Sequence, residues 1–595
     1  MCGIVGYIGK RKAVDVLLDG LKKLEYRGYD SAGVCLYDSS NMEIIKSVGR
    51  IKNLEEKLDF SKVSKYTRGI AHTRWATHGN VTEENAHPHQ VGKITLVHNG
   101  IIENADILKD ELIKKGYVFK SNTDSEVVAS LIDSLYKKDS DMIKVLNRLK
   151  DYLIGSYALG IIVEKDTSKI YAVKKDSPLV LGTGEGENFF ASDITAINTY
   201  TNDFIFLDEG EVAVVTDKDI TVYKDLKKVD KKIDTIVVDL ESKSKNGYPH
   251  YMLKEINEEP VVLEKTLKPY LDNLDLIPDI SEYEVIHIVA CGSAMYAGMV
   301  AKYLLEEKAN VEVMVDVASE YRYRNINYNR KTLVILISQS GETADTIAAM
   351  RFAKEKGQTT LAIVNVKTST IARESTKALF IEAGEEIAVA TTKAYLLQVA
   401  LLSLLSLKLA YDKKLIDDIT PYLDEFRVIP KLVKETIDKD NNYKSIANEI
   451  YENNNSFFIG RKIDYAYCLE GSLKLKEVSY IHSEAYQAGE LKHGTISLID
   501  EGMPVFGILT DEDIIPKTLS NVIETKARGA KAIIITSSSD LGKEFDLVIN
   551  VPKLSMFTQG LVVVPTLQLI AYHTASLRGC DIDKPKNLAK SVTVE

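Results

Sequence analysis

The chain runs to 595 residues, too long for one hydrophobic core, and implies about three or four domains. Its 45% hydrophobic and 27% charged residues exclude a disordered or low-complexity chain, and a net charge of −11 disfavours a broad nucleic-acid-binding surface while leaving room for one local basic pocket. The five cysteines (Cys2, Cys35, Cys291, Cys468, Cys580) are odd in number, scattered and without CxxC spacing, so neither a disulfide framework nor a zinc site is expected, and a reducing cytoplasm is.

The chain opens Met1-Cys2-Gly3-Ile4-Val5-Gly6. Removal of Met1 would leave Cys2 with both a thiol and a free α-amine, whose unperturbed pKa of about 8 lets it take the thiol proton and return it to a leaving amine. A cysteine kept for packing is the plainer reading of Cys2 alone. Lys10, Arg11, Lys12 and Asp15 come too early for a signal segment.

Up to about residue 235, short β-rich runs alternate with turn residues, as in Ile94-Thr95-Leu96-Val97-His98 followed by Asn99-Gly100, and predict a layered α/β domain. Dense histidines at His72, His78, His87, His89 and His98 invite a metal reading, but their spacing fits no regular zinc pattern and no cysteine lies nearby. No metal is expected. Between Lys227 and Tyr251 a polar, lysine-rich stretch reads as an exposed connector and carries the major boundary.

Beyond it, strand, small-residue loop, long helix and strand succeed one another as parallel βαβ units. Glu284 to Ala290 leads into Cys291-Gly292-Ser293-Ala294 and a helix, and Leu333 to Ile337 leads into Ser338-Gln339-Ser340-Gly341-Glu342-Thr343 and another. The order recurs about 170 residues later around Phe457 to Gly460 and Val505 to Leu509, a spacing suited to a duplicated domain. The apolar run Ala394 to Ala410 is broken by Gln398, three serines and Lys408, so it predicts a buried or interface helix rather than a membrane span.

Hydroxyls and N–H groups at the Ser338 to Thr343 turn suit an anion at a helix N-terminus, although a serine N-cap alone could explain the string. Ser293 and the Val389-Ala390-Thr391-Thr392-Lys393 stretch, expected near strand ends of the same copy, favour a phosphate site. The equivalent turn of the second copy, Thr510-Asp511-Glu512-Asp513, would repel a phosphate. Glu470, Lys474 and Glu477 share one helix face by their spacing, usually the mark of a salt-bridged surface.

The strings Cys2 to Gly6, Glu25 to Gly33, His72 to Gly79, His98 to Asn104 and Ser121 to Glu126 resemble the class II glutamine amidotransferase domain, an N-terminal-nucleophile αββα fold. Ser338 to Thr343, Leu469 to Glu477, Ala488 to Gly494 and Asn587 to Glu595 resemble paired sugar-isomerase (SIS) domains, each a doubly wound parallel sheet. The combination is similar to one family, the isomerising glutamine–fructose-6-phosphate aminotransferases. The organisation this implies is a glutaminase domain at 2–235, a linker at 236–250, SIS domains at 251–435 and 436–580, and a catalytic tail at 581–595.

The resemblance also implies roles. Cys2 attacks the glutamine amide, with the Asn99 side chain and the Gly100 N–H as oxyanion donors; Arg74 and Asp124 clamp the substrate α-carboxylate and α-ammonium, with Thr77, His78 and Arg27 lining or supporting the pocket. Trp75, the only tryptophan, corresponds to the gate on an ammonia passage, though by composition it reads as core. On the sugar side Ser338, Gln339, Ser340, Thr343, Ser293, Val389 and Thr391 hold the phosphosugar. Glu477 moves the C1–C2 proton, Lys474 assists, His493 opens the ring across a dimer interface, and Lys590 forms an imine with the open-chain ketose. Two positions depart from the family: Ala294 lacks a hydroxyl that many relatives carry, and Thr391 stands where serine is common.

Taken whole, the resemblance implies a cytoplasmic homodimer that makes glucosamine 6-phosphate and glutamate from fructose 6-phosphate and glutamine, the first step of amino-sugar (UDP-N-acetylglucosamine) synthesis, with no metal, nucleotide or flavin cofactor. The rival reading is a regulatory module in which the SIS domains sense a phosphosugar and control an attached glutaminase. Another amidotransferase, such as an amidophosphoribosyltransferase, would need a phosphoribosyl-binding loop that the sequence lacks.

Overall fold

The computed structural model describes the chain except residues 1, 26, 27, 29, 39, 40, 77, 78, 165, 237–243, 540, 542–544, 546 and 593–595. Contacts divide it into two compact units, 1–240 with 591–595, and 241–590.

The first unit contains two antiparallel sheets. One has eight strands, with Gly3–Ile8 at its centre between Glu187–Ala191 and Arg68–Arg74; the other has seven, with Gly155–Val163 between Ile94–Ile102 and Ile170–Lys175. Alternating apolar residues from both sheets, among them Ile4, Ile70, Val97, Ala158 and Phe190, meet in one dry layer. A Cβ on Gly6 or Gly160 would lie within 2.2 or 2.5 Å of the Phe190 ring, so these glycines make the room that the ring fills. Helix Ala13–Leu24 covers the outer face of the first sheet and helix Asp124–Tyr136 that of the second, which gives the αββα layering.

Two local readings differ from the structure. Asn99-Gly100 is not a turn: the strand runs on through it to Ile102, paired with Gly155–Val163. Gly100 has φ +130°, and a Cβ there would lie 2.1 Å from the Ser156 carbonyl, so this glycine serves a close backbone approach inside the sheet rather than a hairpin. Lys227–Val229, read as connector, is an edge strand on Ile220–Lys224, and its exposed lysines are the kind of side chain that blunts a sheet edge.

The second unit contains two five-stranded parallel sheets of identical topology. The first runs Glu312–Val317, Val285–Ala290, Thr332–Ser338, Thr359–Val364, Lys377–Phe380; the second runs His482–Gln487, Asn455–Gly460, Pro504–Leu509, Lys531–Thr536, Leu547–Asn550. Each is a doubly wound sheet with order 2-1-3-4-5, so the duplication read from sequence is a duplication of fold. The copies share one apolar core, in which helices Gly292–Ala309, Lys393–Asp412, Ile463–Ser479 and Gly560–Leu577 pack together. Lys393–Asp412 and Gly560–Leu577 are long and apolar enough to cross a membrane, yet 94% and 89% of their apolar windows are buried in this core.

Candidate active site

Strand Gly3–Ile8 begins immediately after Cys2, and its antiparallel partner Arg68–Arg74 ends beside it, with Gly3 opposite Thr73. That register brings Trp75 to the thiol: its N–H donates to Cys2 Sγ at 3.3 Å, and the thiol donates back to the Trp75 carbonyl at 3.5 Å. Burial pushes the Cys2 thiol above its ordinary pKa, so it is a poor nucleophile without a base of its own. The Asn99 amide nitrogen donates to the Cys2 carbonyl at 3.1 Å, which places a side-chain donor beside the Cys2 main chain.

The orientation of that amide is set by a histidine. His72 Nε2 lies 3.0 Å from the His98 carbonyl and 3.1 Å from Asn99 Oδ1. A carbonyl can only accept, so Nε2 carries the proton, and Asn99 must turn its oxygen toward His72 and its NH2 toward Cys2. Burial drives the His72 pKa down to about 3, which keeps the ring neutral. His87, also held neutral by burial, stacks on this ring, His89, likewise neutral, packs edge-on against His87, and His87 Nδ1 accepts the His98 N–H. The histidine cluster is a buried scaffold for the Asn99 strand.

Arg74 and Asp124 both act electrostatically on the Cys2 thiol. Arg74 is anchored by the Gly79 and Asn80 carbonyls, each at 3.2 Å. Asp124 starts helix Asp124–Tyr136, accepts the Ile102 N–H at 2.9 Å, and lines a cavity with Ile102, Asn122 and Thr123. A guanidinium and a carboxylate thus flank a cysteine, a charge pattern complementary to an α-amino acid zwitterion. Arg27, Thr77 and His78 lie outside the described residues.

In the second unit, a cavity of about 170 Å³ opens at the carboxyl ends of the first sheet's strands, at the switch point between Val285–Ala290 and Thr332–Ser338. It is lined by Ser293, Ser338, Gln339, Ser340, Thr343, Val389, Thr391, Lys474, Glu477 and Lys590, so ten of the residues singled out from sequence converge on one space. The floor is the N-terminus of helix Ala344–Glu355. Ser338 Oγ accepts the Gly341 N–H at 3.0 Å and contacts Thr343 Oγ1 at 3.0 Å, while Ser340 Oγ accepts the Glu342 N–H at 3.2 Å. Gly341 turns at φ +66° against Ser369, where any Cβ would collide. Hydroxyls and a positive helix end together make an anion cradle.

Across the cavity stands helix Ile463–Ser479. Glu470, Lys474 and Glu477 do share one face, but that face is interior: Lys474 Nζ lies 3.5 Å from Glu470 and 2.5 Å from Glu477. Burial pushes Glu470 up to about 7. Burial alone would lower the Lys474 pKa, but the two carboxylates outweigh it and hold the ammonium above the ordinary lysine range. A half-buried carboxylate tied to a buried cation is suited to moving a proton on a bound ligand.

The third wall is the C-terminal tail. Asp583 accepts the Tyr251 and Met252 N–H groups at 3.0 Å each, capping helix Tyr251–Asp272, and its carbonyl accepts the Val389 N–H. From that anchor the tail brings Lys590 into the cavity, where its ammonium donates to the fully buried Glu386. Glu386 also accepts from Thr391 Oγ1 at 2.6 Å and from the Thr392 and Ala394 N–H groups at 2.9 and 3.1 Å. Burial by itself would raise this carboxyl; Lys590 and the other donors hold it below the ordinary range instead. His493 lies on the exposed turn Leu491–His493 and does not line this cavity.

Sequence reasoning missed Glu386, and it missed Gln398, which lines the cavity with a buried Oε1 that has no partner among the described residues. Gln398 lies in the middle of an apolar run, and an unexplained polar residue there was the available signal.

An N-terminal cysteine site on an αββα sandwich, joined in one chain to a duplicated phosphosugar-type α/β domain, defines an amidotransferase coupled to a sugar isomerase. A glutamine amidotransferase domain profile matches residues 72–199, and a SIS domain profile matches twice, at 279–408 and 449–578. Proteins named glutamine–fructose-6-phosphate aminotransferase (isomerizing) from Caldanaerobacter subterraneus subsp. tengcongensis and Thermococcus kodakarensis are each 46% identical over the full length of both chains. Among solved structures, the C-terminal domain of glucosamine-fructose-6-phosphate aminotransferase from Francisella tularensis covers 57% of this chain and 100% of its own at 38% identity and TM-score 0.54. The chain belongs to the isomerising glutamine–fructose-6-phosphate aminotransferase family.

Proposed function

We propose that the chain hydrolyses glutamine at Cys2 and uses the released ammonia, passed internally, to convert fructose 6-phosphate into glucosamine 6-phosphate. In this reading the α-amine of Cys2, freed by loss of Met1, takes the thiol proton as Sγ attacks the amide carbon. The oxyanion is met by Asn99 Nδ2 and the Gly100 N–H, Arg74 and Asp124 hold the zwitterionic end, with Arg27, Thr77 and His78 supporting that pocket, and Trp75 gates the way out for ammonia.

At the sugar site Ser338, Gln339, Ser340 and Thr343 seat the phosphate, with Ser293, Val389 and Thr391 along the chain of the sugar. Lys590, after passing a proton to Glu386, adds to the C2 carbonyl and water leaves to give an imine; ammonia then adds at C2 and releases the lysine, Glu477 carries the proton between C1 and C2, and Lys474 steadies the developing oxyanion. Because His493 is exposed and away from its own cavity, ring opening is assigned to His493 supplied by a second copy of the chain, and the protein acts as a cytoplasmic homodimer. The observation that carries the reading is Lys590, Glu477 and Lys474 facing one anion cradle. A phosphosugar sensor would require the cradle but none of those three. Incubation with glutamine and fructose 6-phosphate, with mass spectrometry of the sugar, should give glucosamine 6-phosphate; unchanged sugar with glutamate release would favour the sensor.

Alanine at Ser340 and Thr343 together should weaken fructose 6-phosphate binding, with each charge-assisted hydrogen bond lost costing about 1.5–3 kcal/mol, and leave glutamine KM unchanged. Calorimetric titration with the phosphosugar measures this, and unaltered affinity would move the phosphate elsewhere. His72→Ala should lower kcat for glutamine hydrolysis by about ten- to a hundredfold with little change in KM, since it frees the Asn99 amide to turn over without touching the zwitterion clamp. His72→Gln, which retains a donor, should recover part of the loss; equal KM and kcat effects would point to general damage instead.

A further inference from the structure

The two copies of the doubly wound fold can be superimposed residue by residue through their strand registers. In the first, Ala290 pairs with Ile337, so Gln339 and Ser340 lie two and three positions past the pair. In the second, Ile459 pairs with Gly507, which sets Gly460 level with Ile508 and puts Thr510 and Asp511 at the same two places. The turn after the first strand matches as well: Gly292 has φ +56° and Lys462 has φ +50°, a positive φ that the second copy keeps although its residue is not glycine. By this alignment Ala294 in the first copy corresponds to Asp464 in the second.

Those two residues make the difference between the copies. Ala294 lines the open cavity, and its methyl group leaves the cradle free. Asp464 is fully buried and reaches across its own copy's switch point. Its Oδ2 accepts the Thr510 N–H at 2.8 Å and the Asp511 N–H at 3.2 Å, and its Oδ1 accepts the Thr510 hydroxyl. These donors are the counterparts of the Gln339 and Ser340 backbone in the first copy. Burial drives the Asp464 carboxyl up to about 7, against the opposing pull of the Thr510 and Asp511 donors. The surrounding charges are arranged around a filled seat: Lys462 Nζ lies 3.2 Å from Asp511 and 2.9 Å from Glu307, and Arg461 donates to Asn521 at 2.8 Å.

We propose that the second copy is a phosphosugar site closed by its own chain, with the Asp464 carboxylate seated where the first copy takes a phosphate. The copy needs no ligand to hold its switch point together, and each chain binds one phosphosugar. This rests on the assignment of phosphate to the Ser338 to Thr343 cradle, but the closing contact itself is independent of that assignment. It also refines the expectation that the Asp511 to Asp513 carboxylates would repel a phosphate: Asp511 is neutralised by Lys462, and occupation by Asp464 is what closes the seat.

Asp464→Ala would leave two N–H groups, that of Thr510 buried and that of Asp511 partly so, and a hydroxyl facing a space the size of a small carboxylate. The test is thermal unfolding of the full-length protein and of Asp464→Ala in sodium formate against sodium chloride at equal ionic strength. The variant is expected to melt several degrees lower in chloride and to regain at least half of that loss in formate, with the unmodified protein showing no such difference. Loss of stability without formate-specific recovery overturns the proposal. Should Asp464→Ala not fold, calorimetry on the unmodified protein decides: one fructose 6-phosphate per chain is expected, and two would overturn it. Formate recovery without any fructose 6-phosphate binding would retire the first-copy assignment and leave the closed second seat standing.

Discussion

Cys2→Ala is expected to lower glutamine hydrolysis and glutamine-dependent amination by at least about a thousandfold, the scale on which removal of a covalent nucleophile acts. Slow interconversion of fructose 6-phosphate and glucose 6-phosphate should survive, because Glu477, Lys474 and the Ser338 to Thr343 cradle belong to the other compact unit. The thiol is buried, its pKa is raised by that burial, and its bonding partners are the main chain of Trp75. Its carbonyl, meanwhile, holds the Asn99 amide in place. Among the described residues, burial holds the pKa values of His72, His87 and His89 far below the working range, so these rings are weak bases, and those of His72 and His87 serve the Asn99 strand. The base we propose is the amine of Cys2 itself. Acetylating that amine should silence the enzyme as completely as the substitution does, and full activity in a chain that keeps Met1 would overturn the assignment. Separate assays of glutamate release and of sugar interconversion read both halves of the prediction.

Much of this arrangement was legible because local chemistry and chain order coincide. Ser338 to Thr343 announces its cradle in six consecutive residues, and the i, i+4, i+7 spacing of Glu470, Lys474 and Glu477 puts them on one side of a helix whatever that side faces. What spacing cannot tell is which side is buried, so a triad that reads as a solvated salt-bridge ladder is in fact interior, with Lys474 and Glu477 lining a cavity. Glu386 escaped notice for a related reason. It matters only because the tail returns some two hundred positions later to place Lys590 against it, a pairing fixed by the Asp583 cap on helix Tyr251–Asp272. Asp464 was hidden in the same way, since its meaning depends on a superposition of sheets. Asn99-Gly100 misled because Asn-Gly is a strong hairpin signal, and only the neighbouring Ser156 carbonyl reveals that glycine is needed there for clearance.

Lys590→Ala is expected to abolish sugar amination, by about a thousandfold or more, in a protein that still folds and still hydrolyses glutamine. The tail is held at Asp583 and by the Lys586 N–H donating to the Tyr480 hydroxyl at 2.8 Å, so loss of one side chain beyond those anchors leaves both cores intact. Glu386→Gln supplies the sharper comparison. In the native protein the buried Glu386 carboxylate keeps the Lys590 ammonium in the cavity, and because that carboxyl is held below its ordinary range, the ion pair persists at neutral pH and is lost only as the pH falls below the carboxylate range. Removing one partner of such a pair costs about 3–5 kcal/mol and leaves the other charge without compensation. The Glu386→Gln lysine should then be displaced from the cavity, so that borohydride reduction with fructose 6-phosphate present traps far less sugar adduct on the C-terminal peptide than in the unmodified protein, and Lys590→Ala traps none. Phosphosugar affinity should fall only a few-fold in either variant, since the Ser338 to Thr343 cradle is untouched. Efficient amination by Lys590→Ala would eliminate the imine and make the tail a lid; full trapping by Glu386→Gln would show that the lysine finds its place without the carboxylate.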